Sequence, residues 1–475
     1  MYNKIKQKPK NYSLNCESRA IVPQITDKSN QAIRERNMKN IDAMKQTLKE
    51  LCAIPSVQGT PEAGKPFGAE VNHALEYFLK TAEKFGFETI NYDGYAGEVI
   101  WRGKNGKNGE PAEELGILCH LDVVKAGRLS DWKYPPFTPT EEDGKIYARG
   151  TLDDKGPAVV ILYVMKELKE EGFVPEKTIR FILGCNEESG WGCIDHINKV
   201  SKLPDTGFSP DGNFPVVYAE KGILHADYSF ECDKSLVVAG GEMPNMVCDY
   251  AFARSDLFVS DKNIAAKVKT ECEKLGLKLD GDKIESFGQS AHGSMPENGK
   301  NAIAPLLLCL AELGMVEKSV YMSLFEDFYS LKQLKDETGP LTMSPDIIKA
   351  ENGKMNIIVD FRYPASLNPE KAEKLFAQIA PYELVNKHQT PLYVDRNGEL
   401  VKKLLAAYNE ETGNNDKPIA IGGGTYARAL KNGVAFGPEF PGEDAPVHQP
   451  NEFISVENLE KLLRIYKRAV KALCE

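Results

Sequence analysis

The sequence predicts an α/β protein: a mixed, mostly parallel sheet sandwiched by helices, interrupted by an inserted α+β domain. Three observations in the 475 residues predict it. Apolar runs of strand length alternate with helix-period segments up to about residue 221, which argues a layered α/β domain. Between about residues 222 and 390 the texture changes to period-two strand patterns separated by helices, the mark of an antiparallel sheet. From about residue 391 the first texture returns, so the middle block reads as an insertion.

Taken in order, residues 1–38 carry eight Lys or Arg against three Asp or Glu with no sustained amphipathic period, and read as a loose extension. Residues 41–54 and 69–85 place apolar side chains three and four apart, as surface helices packed on a core do. Short apolar runs at 98–101 and 115–119 follow as strands, then a helix over about 158–170 and the strand Thr178 to Gly184. In the inserted block, residues 246–254 and 354–362 alternate as strands, with helices near 262–275 and 300–313. The third part, 391–475, reads as a helix over 399–411, a strand at 419–421, a glycine run opening a helix, and a final helix over about 456–473.

Composition narrows the function classes. With 42% apolar and 27% charged residues the chain is an ordinary globular protein. Its formal charge of −10 gives no footprint for a phosphate backbone, so nucleic acid is not an expected partner. The longest nearly apolar stretch, Ile303 to Leu313, is interrupted by Pro305 and Glu312 and falls short of the roughly 20 residues that span a bilayer. No membrane partner is expected, and without an apolar leader the expected compartment is the cytoplasm. Ten cysteines without a CxxC pair read as small buried hydrophobes.

A set of acids and histidines stands at predicted strand ends, where open α/β sheets bind ligands. His120 and Asp122 follow the strand GILC; residues two apart on a continued strand point the same way, so Asp122 can orient a His120 that ligates a metal. A hydrogen-bonded histidine at a strand end fits the same string. Asp153 and Asp154, in ARGTLDDKGP, suit either a helix N-terminus or a carboxylate bridging two metal ions. Glu187 and Glu188 abut directly after a buried strand, and a cation or a proton is needed to relieve their repulsion; one as ligand and one as proton shuttle satisfies that need. Asp211 in SPDG, His292 in SAHGSMPENGKNA and His448 in VHQPNEF complete the inventory. Gly422, Gly423, Gly424 and Thr425 precede a predicted helix, where exposed N–H groups suit a carboxylate or merely turn the chain.

The strings HLDVV, ARGTLDDKGP, CNEESG, SPDG, SAHGSMPENGKNA and VHQPNEF stand in the order found in the di-zinc aminoacylase and carboxypeptidase-G2 superfamily of metallopeptidases. Over about residues 40–475 the chain resembles that superfamily, and most of all its peptidase-V-like, carnosinase-like dipeptidases. The resemblance implies a di-zinc exopeptidase fold with a lid domain. It implies that His120, Asp153 and Asp211 hold one metal ion and Asp153, Glu188 and His448 another. N and O donors of this kind suit zinc and also accept manganese or cobalt. It further implies that Asp122 orients His120, that Glu187 is the general base toward a metal-bridging water, and that His292 stabilises the oxyanion. Asn245 and Arg362 would contact the substrate. The expected substrate is a free dipeptide, with N-acyl amino acids as the alternative and a non-catalytic scaffold as a third reading. The long lid implies a monomer that supplies its own histidine.

Overall fold

The structure is a computed structural model that describes the backbone of residues 25–104, 111–327 and 329–475, with side chains from residue 38 onward. A helix runs from Ile25 to Cys52, so residues 25–38 of the expected extension are helical. Residues 1–24 lie outside the described residues. Among the described residues no helix is long and apolar enough to cross a membrane.

The main sheet has nine strands. At its centre Thr178–Gly184, Glu114–His120, Thr206–Ser209 and Asn432–Ala435 lie side by side and parallel. Antiparallel strands extend it on both edges: Glu88–Tyr92 and Ala96–Trp101 on one, Val217–Glu220 and Leu392–Tyr393 on the other. Ile419–Ile421 adds a parallel pairing to Val217–Glu220. Every residue of Thr178–Gly184 is buried, as befits a central strand covered on both faces. The helix Lys155–Glu170 is buried almost all round, packed on Glu114–His120 and on the amphipathic C-terminal helix Val456–Cys474.

The second sheet has eight strands, all antiparallel, in the order Lys278–Asp280, Lys283–Phe287, Tyr250–Arg254, Val237–Gly240, Thr342–Glu351, Lys354–Tyr363, Gly222–Glu231, Tyr382–Leu384. Its members follow Val217–Glu220 and precede Leu392–Tyr393, so the chain leaves the main sheet, builds this unit and returns. Ile303, Leu306, Leu307 and Leu310 of the helix Ile303–Glu312 join Ile357, Val359 and Phe361 of the sheet in one apolar core.

Two expected elements differ. The strand expected over 246–254 starts only at Tyr250, because Met246 and Val247 pair instead with the segment around His292. The glycine run opens no helix. The hydroxyl of Thr425 caps a single tight turn, Tyr426–Ala429, and the chain enters the strand Asn432–Ala435 directly.

The sheet centre also sets a steric limit. Gly116 and Gly207 face each other across paired parallel strands, and a Cβ on Gly207 would sit 2.0 Å from the carbonyl oxygen of Gly116. Gly207→Ala must part the strands that end in His120 and Ser209. It is expected to lower stability by ~1–3 kcal/mol, read as a fall in the thermal midpoint.

Candidate active site

The carboxyl ends of the central parallel strands gather the site. His120 is the last residue of its strand, Glu187 and Glu188 lie just beyond Thr178–Gly184, and Asp211 just beyond Thr206–Ser209. Asp153 comes from the loop before the helix Lys155–Glu170, and His448 from the loop before the strand Phe453–Ser455 with a left-handed backbone (φ 61°).

These residues form two donor sets that share Asp153. One is His120, Asp153 and Asp211; the other is Asp153, Glu188 and His448; within each, one donor atom per residue lies within 4.8 Å of the others. His120 Nε2 is 2.8 Å from Asp153 Oδ1 and 3.9 Å from Asp211 Oδ2. His448 Nε2 is 2.9 Å from Asp153 Oδ2 and 3.1 Å from Glu188 Oε2. Each set carries one imidazole and two carboxylates, the chemistry of a site for a divalent cation of the zinc, manganese or cobalt kind.

The electrostatics fit the same occupant. Burial, then the charge of Asp153, pushes Asp211 up to about 7. Glu187 is raised well above the carboxylate range by burial and by Asp211 and Glu188. So many acids in a poorly hydrated place repel one another until cations enter. Asp154, fully buried, is also raised well above its ordinary range; its Oδ2 accepts the amide of His120 while Oδ1 has no hydrogen bond among the described residues.

Asp122 meets the ring of His120 through its main chain. His120 Nδ1 bonds the main-chain carbonyl of Asp122 at 2.9 Å, whereas the nearer carboxylate oxygen is 3.6 Å away. The carboxylate turns instead to the next loop and accepts the amides of Glu187 (3.0 Å) and Glu188 (3.1 Å). Two N–H donors solvate a buried carboxylate better than one shared ring nitrogen does. Asp122 therefore holds the Glu187–Glu188 pair in place, and its backbone holds His120.

A cavity of about 980 Å³ opens over the donor sets and is lined by both sheet units. From the second unit come Asn245, His292 and Arg362. His292 Nδ1 accepts the amide of Ser294 at 3.2 Å, which leaves Nε2 as the protonated nitrogen of the neutral ring. Loss of hydration in the cleft, then the charge of Arg362, lowers the pKa of His292. Asp360, two residues before Arg362 on the same strand face, takes its Nε at 2.8 Å and its Nη2 at 2.9 Å. Asn245 joins the His292 segment through its carbonyl, which accepts the amide of Gly293.

Of the glycine run, Gly423 and Gly424 line the cavity, and Gly422 lies against Ser294 and Lys221. Thr425 lines it too, yet spends both its donors within the protein: its amide goes to Glu220 Oε2 at 3.1 Å and its hydroxyl to Glu220 Oε1 at 2.5 Å. Buried Arg428 completes that clamp, bonding Glu220 and the carbonyls of Lys221 and Gly423.

Sequence reasoning missed several supports. Trp191 donates its indole N–H to Glu187 Oε1 at 3.1 Å. Lys155, wholly buried, donates to the carbonyls of Leu51 and Ile54, and burial pulls its ammonium down to about 8. His225 and His388 also line the cavity. The largest omission is Glu452. Its Oε1 accepts the amides of Gly150, Leu152 and Asp153 at 3.0, 2.9 and 3.2 Å, and its Oε2 takes Arg149 Nη1 at 2.6 Å. Its only signal was an acid within the VHQPNEF string.

Glu452→Gln replaces an acceptor-only group with one that presents N–H to N–H and leaves Arg149 buried without its counter-charge. A loss of ~3–5 kcal/mol of stability is expected by denaturation. A lower affinity for zinc or manganese is expected by titration, since the loop carrying Asp153 loses its anchor.

Residues 116–472 match the model of peptidase family M20/M25/M40. "Putative dipeptidase YtjP" of Bacillus subtilis (strain 168) is 34% identical over 469 residues, spanning 92% of this chain and 98% of that protein. "Putative dipeptidase SAB1611c" of Staphylococcus aureus is 34% identical over 473 residues, spanning 93% and 99%. The fold is similar to that of human carnosine dipeptidase 1, with a TM-score of 0.58 at 16% identity over 95% of this chain and 99% of that one. It is also similar to that of the dipeptidase Dug1p of Saccharomyces cerevisiae, with 0.56 at 14% identity over 91% and 97%. A family match across three quarters of the chain, joined to two donor sets that share one aspartate, means that the chain belongs to the M20/M25/M40 peptidases and is a dinuclear metallopeptidase.

Proposed function

We propose that the enzyme hydrolyses the peptide bond of free dipeptides. The observation that carries this reading is the convergence in one cavity of the two donor sets, the carboxylate of Glu187 beside them, and the donors His292, Asn245 and Arg362 across from them. Relatives matched over almost their whole length bear dipeptidase names, which supports the same substrate class.

His120, Asp153 and Asp211 would hold one divalent ion, and Asp153, Glu188 and His448 the other; zinc suits the donors best, with manganese and cobalt as substitutes. When bound, the pair supplies Lewis acidity to the scissile carbonyl and to the attacking water. The remaining work falls to the chain. Glu187, with Oε1 held by Trp191, takes a proton from the water and returns it to the leaving amine. His292 presents Nε2–H where negative charge grows on the carbonyl oxygen, and Asp122 keeps Glu187 and Glu188 in register.

Arg362 takes the substrate carboxylate. Its Nε and Nη2 are committed to Asp360, and Nη1 has no hydrogen bond among the described residues. Asn245, Gly423 and Gly424 line the same cavity. Since His292 and Asp153 come from one chain, a single copy carries a complete site, consistent with a monomer.

The test is a panel on zinc- or manganese-loaded protein: free dipeptides, the same dipeptides N-acetylated, N-succinyl amino acids and a tripeptide. Cleavage of the free dipeptides is expected; cleavage of the acylated compounds alone would reassign the site to a deacylase. Glu187→Ala is expected to keep its metal content and lose ~10²–10⁴-fold in kcat. His448→Ala is expected to bind one ion fewer per chain by elemental analysis, and unchanged content would refute its place in the second set.

A further inference from the structure

Six acids line the cavity: Asp153, Glu187, Glu188, Asp195, Asp211 and Glu439. Three belong to the donor sets, Glu187 is the proposed base, and Asp195 is neutralised by Lys387 at 2.6 Å. That leaves Glu439, which has no cation partner among the described residues, no place in the donor sets and no part in the proposed proton transfer.

Its position is fixed. Glu439 pairs with Asn213 in a short parallel bridge, and its carbonyl accepts the amide of Phe214 at 2.8 Å. The side-chain Nδ2 of Asn213 donates to Glu439 Oε2 at 2.8 Å. Oε1 has no hydrogen bond among the described residues, and the side chain is half-buried. Glu439 lines the same cavity as Asp153, Glu188 and His448, the second donor set. Oε1 is therefore the oxygen left to face a ligand in the cavity.

A dipeptide brings such a donor to that place. Its α-ammonium is one carbon from the scissile carbonyl, so it must lie close to the groups that polarise that carbonyl, while its carboxylate lies beyond the bond toward Arg362. We propose that Glu439 receives the α-ammonium of the dipeptide and thereby sets a preference for free over N-acylated substrates; this rests on the peptidase reading above. An N-acyl group puts an uncharged amide against Oε1 and leaves the carboxylate without its counter-charge. A site built around a charged partner discriminates strongly against an analogue lacking it.

The experiment is calorimetric binding of two phosphinate analogues of Ala-Ala, one with the free amino group and one without it, to the zinc-loaded full chain. The wild type is expected to prefer the amine. Glu439→Gln keeps the contact with Asn213 and the bound zinc, and is expected to weaken the amine analogue ~10- to 100-fold while leaving the des-amino analogue unchanged. Glu439→Asp, which keeps the charge, is expected to retain part of the preference. Equal weakening of both analogues would make Glu439 a support of the cavity wall and overturn the assignment, as would an unchanged preference in Glu439→Gln. A wild type that binds both analogues alike would remove the dipeptidase reading itself, whereas a wild-type preference that survives the substitution removes only the role of Glu439.

Discussion

The carboxylate of Glu452 is the contact on which the site most depends. It lies fully buried and accepts three consecutive-loop amides and one guanidinium, a set of partners strong enough to keep a charge away from water. The loop so gripped carries Asp153, which both donor sets share. Glu452 itself stands four residues after His448. One side chain therefore brings a residue from the first part of the chain and one from the last into the same few ångströms, and without it the sets have no common edge.

The same logic of buried anchors recurs outward. Asp122 fixes the Glu187–Glu188 loop by its carboxylate and His120 by its carbonyl. Glu220 and Arg428 fix the glycine loop, and Asp360 fixes Arg362. In each case a fully buried carboxylate is saturated by N–H or guanidinium donors, so the groups facing the cavity are held before any substrate arrives.

What was legible in the sequence follows from range. The strands Thr178–Gly184 and Ile419–Ile421 and the helix Lys262–Leu275 announce themselves by local period, and they stand where that period puts them. The acids and histidines of the two sets were legible because each sits at a strand end inside a recognisable string. Glu452 and Arg428 were not, because their work depends on partners that folding alone brings near: Arg149 is 303 residues from Glu452. Which atom of Asp122 meets His120 was not legible for a related reason. Period two placed it on the face of His120 correctly, but the sequence does not show that two amides from a distant loop compete for its oxygens and win. The glycine run misled because Gly-Gly-Gly-Thr opens a helix or a single turn equally well, and the choice is made by Glu220.

The insertion of one sheet unit between two parts of the other has a consequence for the order in which the site comes into being. His120, Asp153, Glu188 and Asp211 emerge from the ribosome early, whereas His448 and Glu452 emerge only after the whole antiparallel unit has been made. During synthesis the first donor set exists as a sequence long before its loop has an anchor, and the second set does not exist at all. A chain cut anywhere between residues 211 and 448 therefore keeps the residues of the first donor set but lacks the histidine of the second. The two donor sets can in this way come to share Asp153 only once the last segment of the chain is present.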